Sequence, residues 1–285
     1  MPEGDAVWRT ARRLHQALAG VPLVGSDLRV PALATVDLSG RLTVEVVPRG
    51  KHLLHRVEGG VTLHSHLRMD GSWRVLRAPA PPAWARRRHT TRALLWTADR
   101  VAVGELLGML DVVPTDREDR VVGHLGPDLL DPAFDRELAL ANLARVPSVP
   151  VAQALLDQRN LAGIGTIFAS EPLFEHAVSP WAPVGSLDPG QRAAVVDTAR
   201  RALVTSCRLG RTATRRGSTG PEDTWVHGRV GLPCLRCGGT VRLAPLGEQP
   251  QQRVVFYCPA CQGGLAPTDD GARQLPLGHH RRSYG

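Results

Sequence analysis

Four cysteines fall as CLRC (Cys234, Cys237) and CPAC (Cys258, Cys261), with twenty residues between the pairs. Each Cys-x-x-Cys knuckle presents two thiolates from one tight turn, so two knuckles at this separation can fill the tetrahedral sphere of a single zinc ion. The stretch between them, GGTVRLAPLGEQPQQRVVFY, reads as a β-hairpin that returns the second knuckle to the first. Disulfides compete for the same residues. Against them stand an odd cysteine count of five and an N-terminus, MPEGDAVWRT, with neither a basic leader nor the apolar core of a secretion signal. The reading is one structural Zn2+ held by Cys234, Cys237, Cys258 and Cys261, with Cys207 left over as a core thiol. No apolar run approaches the roughly 20 residues needed to span a bilayer. A cytoplasmic, nucleoid-associated monomer with no membrane partner is expected.

A zinc hairpin is too small to be the whole fold, and the periodicity upstream divides the chain. Val7, Ala11, Leu14 and Leu18 recur at helical spacing, with Asp5 as the expected N-cap and Gly20 as the stop. From Leu23 to about Val113 the pattern turns to alternation in RLTVEV, HLLHRV, VTLHSHL, SWRVL and RALLWTA, which predicts an antiparallel sandwich or barrel. The segment APAPPAWARRRH at 78–89 reads as a proline-rich basic loop. Beyond about residue 120, DRELALANLARV, VAQALLDQ, GIGTIFASEPLF and PGQRAAVVDTARRALVTSC carry helical periodicity. The expected fold is therefore multidomain α+β. It comprises a β-sandwich domain over 1–120, a helical domain over 121–227, a zinc finger over 228–262 and a disordered tail over 263–285.

The formal net charge of +8, clustered in RRRH and RLGRTATRR, fits a polyanionic partner without saying which one. Lys51 is the only lysine among 35 basic residues. Either coding bias has replaced the rest, or this position needs a compact amine whose pKa can shift, which a permanently protonated guanidinium cannot supply. Gly163 and Gly165 in LAGIG open a helix whose N-terminal amides and dipole suit phosphate, although a tight helix–turn–helix would use the same glycines.

Taken together, PEGDAVWRTARRL, RGKHLL, SHLRMDGSWRV, LGPDLL, LLDQRNLAGIG, VHGRVGLPCLRC and QRVVFYCPACQ resemble, in order and spacing, the Fpg/Nei family of DNA glycosylases with lyase activity. The resemblance covers residues 2 to 262, and PEGD with MDGSWRV is closer to the endonuclease VIII branch of actinobacterial type. It implies an N-terminal β-sandwich with flanking helices, a helix–two-turn–helix module and a zinc finger, with damaged DNA, duplex or single-stranded, held between domains. It also implies removal of Met1, so that the Pro2 amine attacks C1′ of the damaged nucleotide. An α-amine titrates near neutrality, and a helix starting close behind it lowers its pKa further. Glu3 carries over as general acid/base, and Lys51 as the amine that holds phosphate or a base substituent and assists proton transfer. Arg253 carries over as the grip on the phosphate beside the lesion, linked to the second elimination.

The target base must leave the stack, and Met69 matches the wedge that fills the gap, with Arg68 beside it. His66, Gly165 and Thr166 fall at positions of DNA-backbone contacts, and His124 lies where the endonuclease VIII branch carries an arginine. The chain departs from the family pattern at Thr166, where an Asn is usual, at Ala6, where many relatives have Glu, and at Asp70, where some have an aromatic wedge. The implied function is a bifunctional DNA glycosylase/AP lyase of base excision repair that removes oxidised pyrimidines. The alternatives are oxidised-purine removal, a non-catalytic damaged-DNA-binding module, and a zinc-ribbon structural or RNA-binding protein.

Overall fold

The computed structural model describes residues 2–215, 217, 223–250 and 252–277. The chain divides into two compact units, Met1–Leu125 and Gly126–Gly285.

The first unit opens with helix α1 (Gly4–Leu18), whose Val7, Ala11, Leu14 and Leu18 are buried along one stripe. Its N-cap is Glu3, not Asp5. Asp5 lies within the first turn, where it pairs with Arg9 at 2.9 Å and its negative charge suits the helix dipole. Eight strands follow, β1 (Gly25–Leu28), β2 (Thr43–Arg49), β3 (His52–Val57), β4 (Val61–His66), β5 (Ser72–Arg77), β6 (Thr91–Trp96), β7 (Arg100–Glu105) and β8 (Met109–Pro114). They form two antiparallel four-stranded sheets, ordered β1-β6-β7-β5 and β2-β3-β4-β8. Leu53 and Leu63 of one sheet, Trp73, Leu95 and Ala102 of the other, and the α1 stripe share a single core. Burying this apolar face is the main force that fixes the strand register.

The outer face of each sheet is also covered. The loop expected at 78–89 contains a short helix, α2 (Ala83–Arg87), because Ala85 is wholly buried against Leu94, Val101 and Val103. Arg88 and Arg86 stack over Trp84 and Trp96, so the basic run is partly spent on packing. Across the β2-β3-β4-β8 sheet lies the segment containing α3 (Asp119–Val122). Glu118 anchors it by accepting two hydrogen bonds from Arg56, at 2.8 and 2.7 Å, and one from Thr62 at 2.7 Å. These bonds tie residues 115–125 to the first unit, so the division falls after Leu125 and not at residue 120.

The second unit contains α4 (Arg136–Ala144), α5 (Val151–Leu156), α6 (Thr166–Glu175) and α7 (Pro189–Leu209). Leu143, Leu155, Ile164, Phe168, Leu173, Val196 and Leu203 form its core. Helix α7 starts at a capping box, with Asp188 accepting from the Gln191 amide, and stops at Gly210 in the left-handed region (φ 70°). The hairpin β9 (Arg242–Leu246) and β10 (Arg253–Tyr257) packs on α6. Phe174 of α6 shares a cluster with Val226, Val230, Val241 and Phe256. The buried Glu171 carboxylate on α6 accepts backbone N–H bonds from Trp225, Val226 and His227 at 2.6–2.9 Å. Residues 121–227 and 228–262 are thus clasped together after residue 125 and do not separate into two compact units.

The tail departs from expectation. Residues 263–277 are tied to the hairpin, because Arg242 donates to Asp269 and Gln274 exchanges two hydrogen bonds with the Leu243 backbone at 2.8 and 2.9 Å. Side-chain hydrogen bonds hold this strap in place of periodic apolar burial. The rest of the expected disordered tail, 278–285, lies outside the described residues. Among the described residues no helix is long and apolar enough to cross a membrane.

Candidate nucleic-acid interface and metal centre

In the first unit, Pro2 is half-buried and Glu3 is buried at 2% exposure, at the head of α1. The Glu3 carbonyl accepts the Val7 amide at 3.0 Å, so the helix itself fixes this residue. Lys51 stands half-buried in the β2–β3 turn, which Gly50 makes possible by adopting φ 57°.

Next to Lys51 the register assembles a histidine cluster. His52 lies opposite His66, and their ring centroids are 4.8 Å apart. His124 approaches His52 at 5.9 Å, and His64 bonds His52 at 2.8 Å between Nε2 and Nδ1. Burial pushes His52 down to about 3, helped by His66, His64, His124 and Lys51. Burial likewise takes His66 down to about 4, helped by Lys51, His64 and Arg68. His64 is lowered by burial and partly restored by Asp111. At neutral pH these three imidazoles are uncharged and work as hydrogen-bonding groups.

His66 also orients the next turn, its Nδ1 accepting the Arg68 amide at 2.9 Å. Arg68 adopts φ 50°, and Met69 at the tip is 61% exposed. Gly71 closes this turn, since a Cβ there would sit 2.3 Å from the Leu67 carbonyl oxygen. Exposed Met69 therefore has no partner in the core and matches the expectation of a loop tip. Sequence reading missed Leu106 and Met109, also exposed at 43% and 36%. A Cβ on Gly71 would lie 2.9 Å from the Leu106 carbonyl, and Met109 is opposite His66, so the three apolar side chains rise from adjoining segments. Their signal was available: LLGML places apolar residues around a glycine turn, where solvation would favour polar ones.

In the second unit, Gly165 is the N-cap of α6 and Thr166 its first residue. The loop before it is held by Gln158, which donates to the Leu156 and Ile164 carbonyls at 2.9 Å and accepts from Gly163 N–H at 3.0 Å. Gly163 adopts φ 101°, a conformation that needs glycine. A helix start so braced offers its dipole to an anion at a fixed place. Arg253 is exposed at the first residue of β10, opposite Leu246. Two residues along the same strand face, Val255 enters the core that holds α6.

The four knuckle cysteines meet. Their sulfurs all lie within 4.8 Å of one another, with Cys237–Cys258 at 3.6 Å and Cys234–Cys261 at 4.0 Å. These separations exceed a disulfide bond and fit the roughly 3.8 Å edge of a tetrahedron with 2.3 Å zinc–sulfur bonds. The Arg236 and Gly239 amides donate to Cys234 and Cys237 at 3.4 Å, which stabilises thiolate charge. The site can hold a metal ion with all four positions filled by protein. Cys207, the remaining thiol, is buried in α7.

The sequence matches the formamidopyrimidine-DNA glycosylase N-terminal domain over residues 1–104 and the formamidopyrimidine-DNA glycosylase H2TH domain over 125–218. It is 53% identical over 274 residues to a probable endonuclease 8 2 of Streptomyces coelicolor, covering 95% of this chain and 97% of that protein. It is 44% identical over 263 residues to the DNA-(apurinic or apyrimidinic site) lyase Nei2 of Mycolicibacterium smegmatis, covering 92% and 99%. Among solved structures, Lactococcus lactis formamidopyrimidine-DNA glycosylase non-covalently bound to AP-site DNA has the same fold. Its TM-score is 0.77 at 23% identity, covering 92% of this chain and all of that one.

Proposed function

The chain belongs to the formamidopyrimidine-DNA glycosylase family, and from that membership we propose a bifunctional DNA glycosylase/AP lyase of base excision repair that removes oxidised pyrimidines from DNA. The observation that carries the reading is the placement of Glu3. A carboxylate is buried at the head of α1 directly after Pro2, where a disordered terminus would leave it in water.

The chemistry follows from the groups in order. With Met1 removed, the Pro2 secondary amine attacks C1′ and the C1′–base bond breaks, the base leaving with a proton. The nitrogen gives up its proton and its lone pair expels O4′, so the C1′–O4′ bond breaks, O4′ takes a proton, and the iminium left at C1′ acidifies the C2′ proton. Removal of that proton expels the 3′ phosphate and nicks the strand. Glu3, beside the amine, holds and returns protons at the sugar. Lys51 bears on the base or its phosphate and shares in the proton transfer that lets the base go. Arg253 pairs with the phosphate flanking the lesion and supports the second elimination.

His66, His124, Arg68, Gly165 and Thr166 hold the DNA backbone, and Met69 fills the space the base vacates. The four cysteines hold one Zn2+, which supplies structural cross-linking only, since four thiolates leave no position for water. The work site is the bacterial cytoplasm, at the nucleoid.

Borohydride reduction of the reaction on an abasic oligonucleotide, followed by mass spectrometry, tests the assignment. DNA should be found on residue 2. A crosslink to Lys51, with trapping unchanged in Pro2→Gly, would overturn it.

A further inference from the structure

Three side chains on the outer face of the β2-β3-β4-β8 sheet form a hydrogen-bonded line that the chemistry above does not use. Asp111 Oδ2 lies 3.1 Å from His64 Nδ1, and His64 Nε2 lies 2.8 Å from His52 Nδ1. His64 is opposite Asp111 in the β4–β8 register. His64 is wholly buried, His52 is 7% exposed, and the Asp111 side chain is 48% exposed. The line therefore runs from solvent at Asp111 to the turn that carries Lys51.

An ionised carboxylate can only accept, so Asp111 holds the His64 proton on Nδ1. His64 Nε2 is then bare and accepts the Nδ1–H of His52. The His52 lone pair must emerge at Nε2. One carboxylate thus sets two tautomers in series. His66 and His124 stand beside the His52 ring with centroids 4.8 and 5.9 Å away, and Lys51 precedes His52 directly in the turn, with Arg68 in the turn beyond His66. Burial keeps the imidazoles neutral, so His52 presents an acceptor, not a further cation, beside the lysine.

We propose that Asp111 and His64 are positioning residues that fix His52 Nε2 as a hydrogen-bond acceptor for the Lys51 ammonium, and so orient Lys51 for base excision. The inference rests on the glycosylase/lyase reading. A flipped imidazole would turn an N–H toward the ammonium and push it away, whereas the fixed tautomer draws it to one place. The line adds no donor of its own to DNA, which separates it from a phosphate contact.

The test combines NMR of 15N-histidine protein with single-turnover rates for wild type, Asp111→Ala, Asp111→Glu and His64→Phe. Wild type should show His52 and His64 as Nδ1–H tautomers at neutral pH, and Asp111→Ala should redistribute both. Asp111→Ala and His64→Phe should lose about tenfold in excision of an oxidised pyrimidine, less than the roughly 10²–10⁴ lost with a proton-transfer group itself, because Lys51 remains. Abasic-strand cleavage and DNA affinity should remain close to wild type, and Asp111→Glu should recover excision. Asp111 is half exposed, so its variants keep the test decisive even where His64→Phe folds poorly. An active wild type whose Asp111→Ala variant excises at an unchanged rate, or spectra with His52 as the Nε2–H tautomer, would overturn the proposal. Failure of the enzyme reading looks different: wild type itself then neither excises nor traps, and the role at Lys51 falls with it.

Discussion

Tyr257 Oη donates to the Asp269 carboxylate at 2.6 Å while accepting the Ala266 amide at 2.9 Å, so the last residue of β10 is bonded on both sides to the strap that follows it. Arg242 on β9 grips the same carboxylate, and its guanidinium together with the Tyr257 hydroxyl holds Asp269 well below the usual carboxylate range. The Asp269 side chain is 1% exposed and that of Arg242 is 9%.

Asp269→Ala strands a buried guanidinium, and losing one partner of such a pair costs about 3–5 kcal/mol. Thermal unfolding of the variant should show a clear fall in Tm. A chain ending at residue 262 should show a similar fall. An unchanged Tm in both would mean that the strap contributes nothing to the fold.

Arg56 and Glu118 give the first unit a pH dependence. The two hydrogen bonds from Arg56, with one from Thr62, hold Glu118 below its ordinary value of 4.5 despite partial burial. A carboxyl depressed on folding stabilises the protein above its unfolded pKa, and that contribution is lost as pH falls through the folded value. Glu118→Gln should therefore be less stable than wild type at pH 7, by about 1–3 kcal/mol. The difference should shrink below pH 4.5 as the wild-type carboxyl protonates. Denaturant titrations at pH 7 and in mild acid measure it, and an equal gap at both would remove the ion pair from the account.

Lys51→Arg keeps the charge and changes the shape and acidity. A guanidinium is planar and does not give up its proton, so it cannot share in a transfer worth roughly 10²–10⁴ in rate. Excision of an oxidised pyrimidine should fall within that range, while a preformed abasic site, which bypasses base departure, should be cut with a smaller loss. Equal rates for the variant and wild type on both substrates would make the lone lysine a compositional accident.

Metal analysis should find one zinc per chain. Chelation should release the two knuckles and loosen β9 and β10, lowering DNA affinity through Arg253. Full activity in protein shown to be free of metal would exclude this role.

The sequence discloses whatever depends on local spacing. Val7, Ala11, Leu14 and Leu18 announce α1, and the two knuckles announce their cluster, because neighbours along the chain decide both. Glu3 displaces Asp5 as N-cap because tertiary burial of Gly4 and Asp5 extends the helix by a turn's beginning that propensity alone does not favour. The line from Asp111 to His52 was illegible for a different reason. Its members sit 47 and 12 residues apart and meet only when three strands pair in one register. The strap over 263–277 shows the opposite error. Its Gly, Pro and charge signal disorder, yet Asp269 and Gln274 find fixed partners on β9 and β10.

Phe256 N–H donates to Ser170 Oγ at 3.3 Å, and Phe174 packs among the residues that surround the knuckles. Helix α6 and strand β10 are therefore two sides of one solid block, with Gly165 and Thr166 at the head of one and Arg253 at the head of the other. A block of this kind behaves as a calliper. The spacing of its two ends is set by packed side chains, and with the phosphate contacts proposed for Gly165, Thr166 and Arg253 it would gauge how far apart two phosphates lie along a strand. DNA whose backbone is stretched or compressed at a lesion would fill one jaw and miss the other. On those proposed contacts, discrimination would begin in the spacing of the backbone, before any atom of the base is read.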